Sequence, residues 1–471
     1  MRRGLSAGAA VGAAAVVWAL RIGLQPLQDN SFLTHLATGR LVLDGRIPRT
    51  DPFSWTADGT PWVVQSWLAA GAYALAERLG GGHGVLFLQG ALMVGLALVV
   101  VRLTAPLTSI VPRLAVVGLA LGVGSGAWAE RPFLFGLLFL GLTLLVAEQG
   151  RPHPAWLLPA YAVWVNVHGS FPLGIVLLGA LAVGAALDRD DIRPLLRALG
   201  WAAAGVLVGA LGPLGPRLLL FPIELLGRDD VLADVAEWQS PSFTTGWERL
   251  WLLQVLVAVA LLVRRPRWRT AVPLLVFCAA ALLAVRNVPQ ASLVLLPGMA
   301  LGAAGLGSIS GARRGLVPTA AVGALALLAG LVVASAASAP AFELGPYPSD
   351  QLALLGPGRR VATQDWVGNW LTATRGEGAG VFFDDRFDMY PAELSEDYGV
   401  LLAGGPGWAG VLDRHDVEAV VWEREKPLAS LLAASADWHV VAADTRWLTA
   451  ERRPLHEGAS RPTGTVTSIH R

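Results

Sequence analysis

Asp29 opens a run of polar side chains that sits directly after an apolar stretch over residues 4–24. The spacing of Asp29, Asn30, Ser31, Thr34, His35 and Thr38 predicts a short surface helix that gathers them near one edge. A carboxylate at a membrane–water boundary can deprotonate an acceptor hydroxyl or hold a divalent cation, and a nearby arginine can pair with a phosphate leaving group. Asp29, His35, Arg40, Arg46 and Arg49 supply the parts for that chemistry. Spacing alone equally allows a structural reading, in which Asp29 caps the following helix and the arginines touch lipid headgroups.

Five further groups could carry chemistry. Asn166 and His168 stand where Gly169 and Pro172 interrupt the backbone, and interrupted helices at membrane depth are tolerated where they line an enclosed or watery cavity. Arg131 follows Glu130 at one helix end, and Arg286 lies between two apolar spans that leave almost no loop. An arginine so close to hydrocarbon is costly unless it snorkels or meets an anion, so Arg131 and Arg286 are candidates for holding a lipid phosphate. Glu237 and Trp238 offer a second acid and a stacking face for sugar, or else a rim carboxylate beside a belt tryptophan. Asp384, Asp385, Arg386, Phe387 and Asp388 read either as a site for acceptor sugar or a cation beyond a strand end, or as a salt-bridged turn seating a domain on the membrane part. No phosphate loop, G-x-S-x-G elbow or HExxH motif occurs.

The elements that must position these residues follow from composition. Of 471 residues, 54% are hydrophobic and 15% charged, with a mean hydropathy of +0.53, which excludes an ordinary soluble domain. Twelve apolar stretches predict a polytopic α-helical membrane protein: 4–24, 64–79, 84–104, 113–128, 133–148, 155–167, 171–187, 196–212, 248–263, 270–285, 288–307 and 316–338. Arg2 and Arg3, Arg264 to Arg269, and Arg313 and Arg314 are expected to be cytoplasmic, placing the N-terminus inside and the C-terminus outside. The number of crossings must then be odd, so one stretch does not cross; 64–79 and 155–167 are the candidates.

Segments 25–63, here the first outer loop, 213–247, the second, and 339–471 are expected on the extracytoplasmic side on this topology. Within the last, 359–364, 380–384, 418–423, 438–443 and 446–451 read as strands and 392–404 and 427–436 as helices, predicting a small α/β domain over 339–453 after a transmembrane domain over 1–338. Residues 454–471 read as a frayed tail. The near balance of 36 basic and 35 acidic residues gives a nucleic-acid partner no support, and the lone Cys278 excludes disulfides within the chain.

The stretches from Asp29 to Arg40, Gly45 to Thr56 and Gln65 to Leu68, with Trp164 to Gly169, Glu237 to Pro241, Arg286 to Pro289 and Asp384 to Tyr390, resemble a group of uncharacterised bacterial multi-pass proteins similar in layout to the GT-C glycosyltransferases. That superfamily includes protein O-mannosyltransferases, aminoarabinose transferases and oligosaccharyltransferases. The resemblance implies a GT-C-like fold with a C-terminal extracytoplasmic α/β domain in the bacterial plasma membrane. It also implies transfer of a sugar from a polyprenyl-phosphate donor to an outer-face hydroxyl on a glycan, glycolipid or protein. Membrane lipids, the lipid-linked sugar and the acceptor are the implied partners. Asp29 matches the acidic first-loop residue that serves as base or metal-site residue, so a divalent cation near Asp29 is open. Where many relatives carry a second acid, this chain has Asn30 and Ser31, which weakens a metal site and leaves both single-carboxylate base catalysis and no catalysis open. His35, Arg40, His168, Arg131, Arg286, Glu237, Trp238, Asp385 and Arg386 are the accompanying substrate-binding candidates. The competing class is a non-enzymatic scaffold or glycolipid-translocation protein of the same shape.

Overall fold

The computed structural model describes residues 4–5, 7–228, 236–306, 317–344 and 347–453. The arginine pairs at 2–3 and 313–314, the acids Asp229, Asp230 and Asp234, and the tail 454–471 lie outside the described residues. The membrane part comprises α1 (Ala7–Gly23), α2 (Phe32–Leu43), α3 (Trp67–Leu103), α4 (Ile110–Ala127), α5 (Phe133–Gln149), α6 (Leu157–Val167), α7 (Phe171–Leu187), α8 (Arg193–Gly209), α9 (Arg217–Leu226), α10 (Gly246–Arg264), α11 (Trp268–Leu283), α12 (Val288–Ala303) and α13 (Thr319–Ser338). Three of these, α3, α4 and α10, are long and apolar enough to cross a membrane by length and composition, and shorter apolar helices run beside them.

Close packing rests on small residues where helices cross. A Cβ on Gly205 of α8 would come within 2.4 Å of the Leu158 carbonyl of α6, and one on Gly302 of α12 within 2.7 Å of Leu261 of α10. Buried polar groups are paired across helices: Ser292 donates to Gln254 at 2.7 Å, and Gln254 donates back to the Ser292 carbonyl at 3.0 Å.

The bundle has two distinct ends. At one end Arg267 pairs with Asp188 and Asp190, Arg269 pairs with Glu148, and Gly4–Leu5 pairs with Val317–Pro318. At the other, α1 leads into Asp29, α4 into Arg131, α6 into His168 and α11 into Arg286. The 16 residues of α11 separate the two ends by about 24 Å at 1.5 Å per residue.

Helix α3 departs from a straight span. Gly80 and Gly81 break its helical backbone, with φ of +58° at Gly81. Its first half begins beside α2, where a Cβ on Gly39 would come within 2.0 Å of the Ala70 carbonyl. It ends near Phe342, which a Cβ on Gly82 would meet at 2.6 Å and which stacks on Phe32 of α2. Residues 67–79 therefore start and finish at the Asp29 end, whereas α6 runs from the Arg269 end to His168.

The C-terminal domain is α/β. Its strands β1 (Val361–Thr363), β2 (Ala419–Glu423), β3 (Trp438–Ala443) and β4 (Trp447–Arg452) form one sheet in the order β1-β2-β4-β3, with β1 parallel to β2 and the other pairs antiparallel. Helices α14 (Ser349–Leu354), α15 (Asp365–Arg375), α16 (Ala392–Ala403), α17 (Trp408–Arg414) and α18 (Pro427–Ala434) complete it. The expected strand over 380–384 is absent from this sheet. Gly378 and Gly380 take positive φ, and the run pairs instead with the first outer loop: Trp55 donates to the Val381 carbonyl at 3.0 Å and Val381 to the Phe53 carbonyl at 3.3 Å. Val381, Phe382 and Phe383 are all buried, so the run is apolar on both faces, as a strand is, but its partner comes from far away in the sequence.

That seam is closed by a buried ion cluster. Arg386 donates to both Asp384 oxygens and, through Nη1, to Asp51 at 2.6 Å, while its guanidinium lies 4.7 Å from the Trp62 ring centroid and 5.0 Å from that of Phe53. Asp51 and Asp384 are fully buried and Arg386 nearly so. Removing one member of such a cluster leaves an uncompensated buried charge. Arg386→Leu should therefore weaken the seating of the domain by about 3–5 kcal/mol. The expected readout is a fall of several degrees in the thermal unfolding midpoint of the detergent-purified protein; an unchanged midpoint contradicts the role.

Candidate functional site

A cavity of about 370 Å³ opens at the Asp29 end of the bundle. Its wall draws on several segments: Ser31 and, from α2, Thr34, His35 and Thr38; Trp62 to Ser66; Arg131 from the turn before α5; Phe221 and Leu225 from α9; and Asp385 to Asp388 from the C-terminal domain.

Asp29 stands at the start of α2. Its Oδ1 accepts the Ser31 backbone N–H at 2.9 Å and its Oδ2 accepts Nε of Arg131. The helix itself begins after Ser31, which makes no side-chain cap bond, so Asp29 braces the turn before α2 and does not cap it. Glu130 fixes the approach, since its Oε1 accepts the backbone N–H groups of Gln28 at 2.5 Å and Asp29 at 2.8 Å. The other arm of Arg131 donates to Glu237, so a carboxylate–guanidinium–carboxylate chain links the first outer loop to the second. Burial opposes the charge on Arg131, but Glu237 and Asp29 more than offset it and hold the guanidinium protonated well beyond its ordinary range.

Arg286 differs. It lines the cavity with its guanidinium 4.3 Å from the Trp238 ring centroid, and among the described residues it has no ion-pair or hydrogen-bond partner for that group. Burial lowers its pKa, Glu237 raises it and the neighbouring Arg131 lowers it. Val285 donates its N–H to the Gln239 carbonyl at 2.8 Å, which fastens the Arg286 turn to the Glu237–Trp238 turn. An anion entering the cavity finds this guanidinium available.

His35 faces the cavity from α2 with Nδ1 3.4 Å from the Ser66 hydroxyl. Burial, reinforced by Arg131 and opposed by Asp29, lowers its pKa to about 4, so the ring is neutral at pH 7. His168 lines the same cavity, with Nδ1 2.9 Å from Ser170 Oγ and its ring edge-on to Phe133. Asn166 is structural: it accepts from Trp67 Nε1 at 2.8 Å and donates to the Ala162 and Gly209 carbonyls.

Asp385 enters from the C-terminal domain. Its Oδ1 accepts the Thr34 hydroxyl at 2.8 Å, and its N–H donates to Asn369 at 3.2 Å. Burial and then the Asp384 charge push its carboxyl up to about 7, against the pull of the Ser31 and Thr34 hydroxyls and of Arg131. Asp388, also on the wall, is pushed up to about 6, chiefly by burial.

Three arginines expected near Asp29 turn elsewhere. Arg40 lies outside the cavity wall, because its guanidinium is taken by Glu77 of α3 and by the Ala373 carbonyl of α15. Arg46 pairs with Glu377 at 2.8 Å, and Arg49 donates to the Pro213 carbonyl at 2.8 Å. Arg386 borders the cavity but its charge is spent on Asp51 and Asp384, which makes it a structural residue in place of the substrate-binding one expected. Among the described residues no three His, Cys, Asp or Glu side chains converge as ligands for a metal ion, and beside Asp29 the cationic partner is Arg131.

Thr34, Gln65 and Glu130 are the contributors that sequence reasoning did not assign a role. Gln65 accepts the Gly169 N–H at 2.6 Å and so ties the His168 turn to the first outer loop. The signal for Glu130 was its place beside Arg131 at a helix end; Thr34 carried no signal beyond its spacing from Asp29.

No protein-family model and no curated protein matches the sequence. Among solved structures the chain is similar to the archaeal oligosaccharyltransferase AglB from Archaeoglobus fulgidus, at 12% identity and a TM-score of 0.55, over 89% of this chain and 69% of AglB. It also aligns with the arabinofuranosyltransferase AftD from Mycobacteria at 14% identity and a TM-score of 0.47, over 97% of this chain and 41% of AftD. ArnT from Cupriavidus metallidurans bound to undecaprenyl phosphate aligns at 14% identity and a TM-score of 0.36, over 93% and 97%. The last two likenesses are too loose to show a shared fold. The match to AglB, spanning most of both chains, shows that this chain shares AglB's fold.

Proposed function

We propose that this protein is a membrane glycosyltransferase that moves a sugar from a polyprenyl-phosphate donor to an extracytoplasmic hydroxyl. The single observation that carries the reading is Arg286: a guanidinium without a carboxylate partner among the described residues, stacked on Trp238, in a cavity at the end of an apolar bundle. Isolated arginine charge near hydrocarbon is stabilised by meeting an anion, and a lipid phosphate brings both the anion and an apolar tail. Two comparisons of fact support the class. AglB, whose fold this chain shares, was solved with a dolichol-phosphate. The Arg264–Arg269 turn lies at the far end of the bundle from Arg286, and arginine-rich turns favour the cytoplasmic side, which turns the cavity outward.

In this reading Arg286 receives the donor phosphate and stabilises the charge it gains as the sugar departs. Trp238 and Trp62 offer faces on the cavity wall against which a sugar ring can pack. Asp29 acts on the acceptor side and, through Arg131 and Glu237, holds the phosphate end and the acceptor end at a fixed separation. His35 and His168, lining the same wall, supply hydrogen bonds to hydroxyls.

Arg286→Gln should weaken binding of undecaprenyl phosphate to the purified protein in nanodiscs by at least about tenfold, the scale of one lost charge-assisted hydrogen bond. Unchanged affinity contradicts the reading. Asp29→Asn should depress turnover of lipid-linked sugars in cells to near the level of a deletion strain. If the deletion alters envelope glycans while Asp29→Asn leaves them as in wild type, the assignment of Asp29 fails.

A further inference from the structure

We propose that Asp385, brought to the cavity by the C-terminal domain, is the group that takes the proton from the acceptor hydroxyl. The inference deepens the reading above and rests on it.

Three carboxyl groups line the cavity, Glu237, Asp385 and Asp388, and Asp29 stands behind them on Arg131; Glu237 is held by the same guanidinium. Asp29 has one oxygen on the Ser31 N–H and the other on the Arg131 guanidinium. To accept a proton it would have to surrender that ion pair, and with it the link through Arg131 to Glu237. Asp385 is held only by neutral donors, the hydroxyls of Thr34 and Ser31. Such bonds survive protonation, because a hydroxyl can turn from donor to acceptor as the carboxylate becomes a carboxylic acid. Asp385 lines the cavity, and its N–H is anchored to Asn369 of α15, so the carboxylate is aimed by the domain's own scaffold.

The charged and titratable groups around it are Asp384, Arg386 and Asp388 on its own loop, His35 on α2 and Arg131 from the turn before α5. Arg386 is spent on Asp384 and Asp51, and Arg131 on Asp29 and Glu237, so neither forms an ion pair with Asp385. Burial, and then the Asp384 charge, push the carboxyl up to about 7, in the range where a general base is effective at neutral pH.

The step balances as follows. The acceptor oxygen forms a bond to the anomeric carbon of the donor sugar. The bond from that carbon to the phosphate oxygen breaks, and its electron pair leaves with the polyprenyl phosphate. The hydroxyl proton passes to Asp385, which returns it to water once the glycoside departs.

The test compares full-length wild type, Asp385→Asn and Asp385→Glu in proteoliposomes. The donor is the organic extract of lipid-linked sugars from cells lacking the protein, and undecaprenyl phosphate serves as a separate binding probe. Asp385→Asn should bind undecaprenyl phosphate as wild type does, showing an intact fold, yet transfer at least about a hundredfold more slowly. Asp385→Glu should recover part of the rate. Wild-type turnover should rise as pH passes through about 7, the value to which Asp385 is pushed, because the base must be ionised. Wild-type turnover by Asp385→Asn, or a wild-type profile that is flat through neutral pH, overturns the inference and leaves the glycosyltransferase reading standing. A wild type that neither binds undecaprenyl phosphate nor consumes any extracted lipid-linked sugar overturns both.

Discussion

Arg131 is the charge on which the outer end of the molecule is organised. A guanidinium at the margin of an apolar bundle is tolerated only when anions meet it, and here two do so from segments that share no secondary structure. Asp29 comes from the first outer loop and Glu237 from the second. The pairing brings those loops together and takes up Glu237, whose charge also acts on Arg286. The cavity therefore keeps one cationic wall beside Trp238 and one carboxyl-bearing wall around Asp385, rather than an evenly compensated interior.

The C-terminal domain is part of this arrangement and not an appendage. Its loop from Gly380 to Asp388 runs against residues 51–56 of the first outer loop, and Arg386 closes the seam between two buried aspartates. Buried ion clusters add little net stability compared with apolar packing, but they penalise wrong registers severely. That property suits a seam whose shift by one residue would exchange Asp385 for a neighbour at the cavity wall.

Much of this was legible in the sequence, and the limits are physical. Polar residues at the ends of apolar helices have to collect at one of two faces, so Asp29, Arg131, His168, Glu237 and Arg286 could be grouped without knowing a single contact. Alternating apolar runs after residue 359 signalled the α/β domain, since strands such as Ala419–Glu423 and Trp438–Ala443 are local in their patterning. What escaped was non-local. The run 380–384 has the composition of a strand, yet its partner lies more than three hundred residues earlier, and no periodicity records that. Arg386 and Arg40 look alike in sequence as loop and helix-end arginines; only the acids that fold against them, Asp51 and Asp384 in one case and Glu77 in the other, decide what each does. Of the two stretches expected not to cross, 64–79 is followed by a backbone break at Gly80 and Gly81, which no hydropathy pattern records.

The seam between Asp51 and Arg386 joins residues 335 positions apart. On a ribosome that emits the N-terminal portion first, Asp51 is made long before its partner, and its carboxylate has no Arg386 to meet until the last domain has been synthesised. A chain cut short after its last helix would present an unroofed hollow with neither Asp385 nor its anchor. The complete set of charges at this seam therefore exists only once the C-terminal domain has been made.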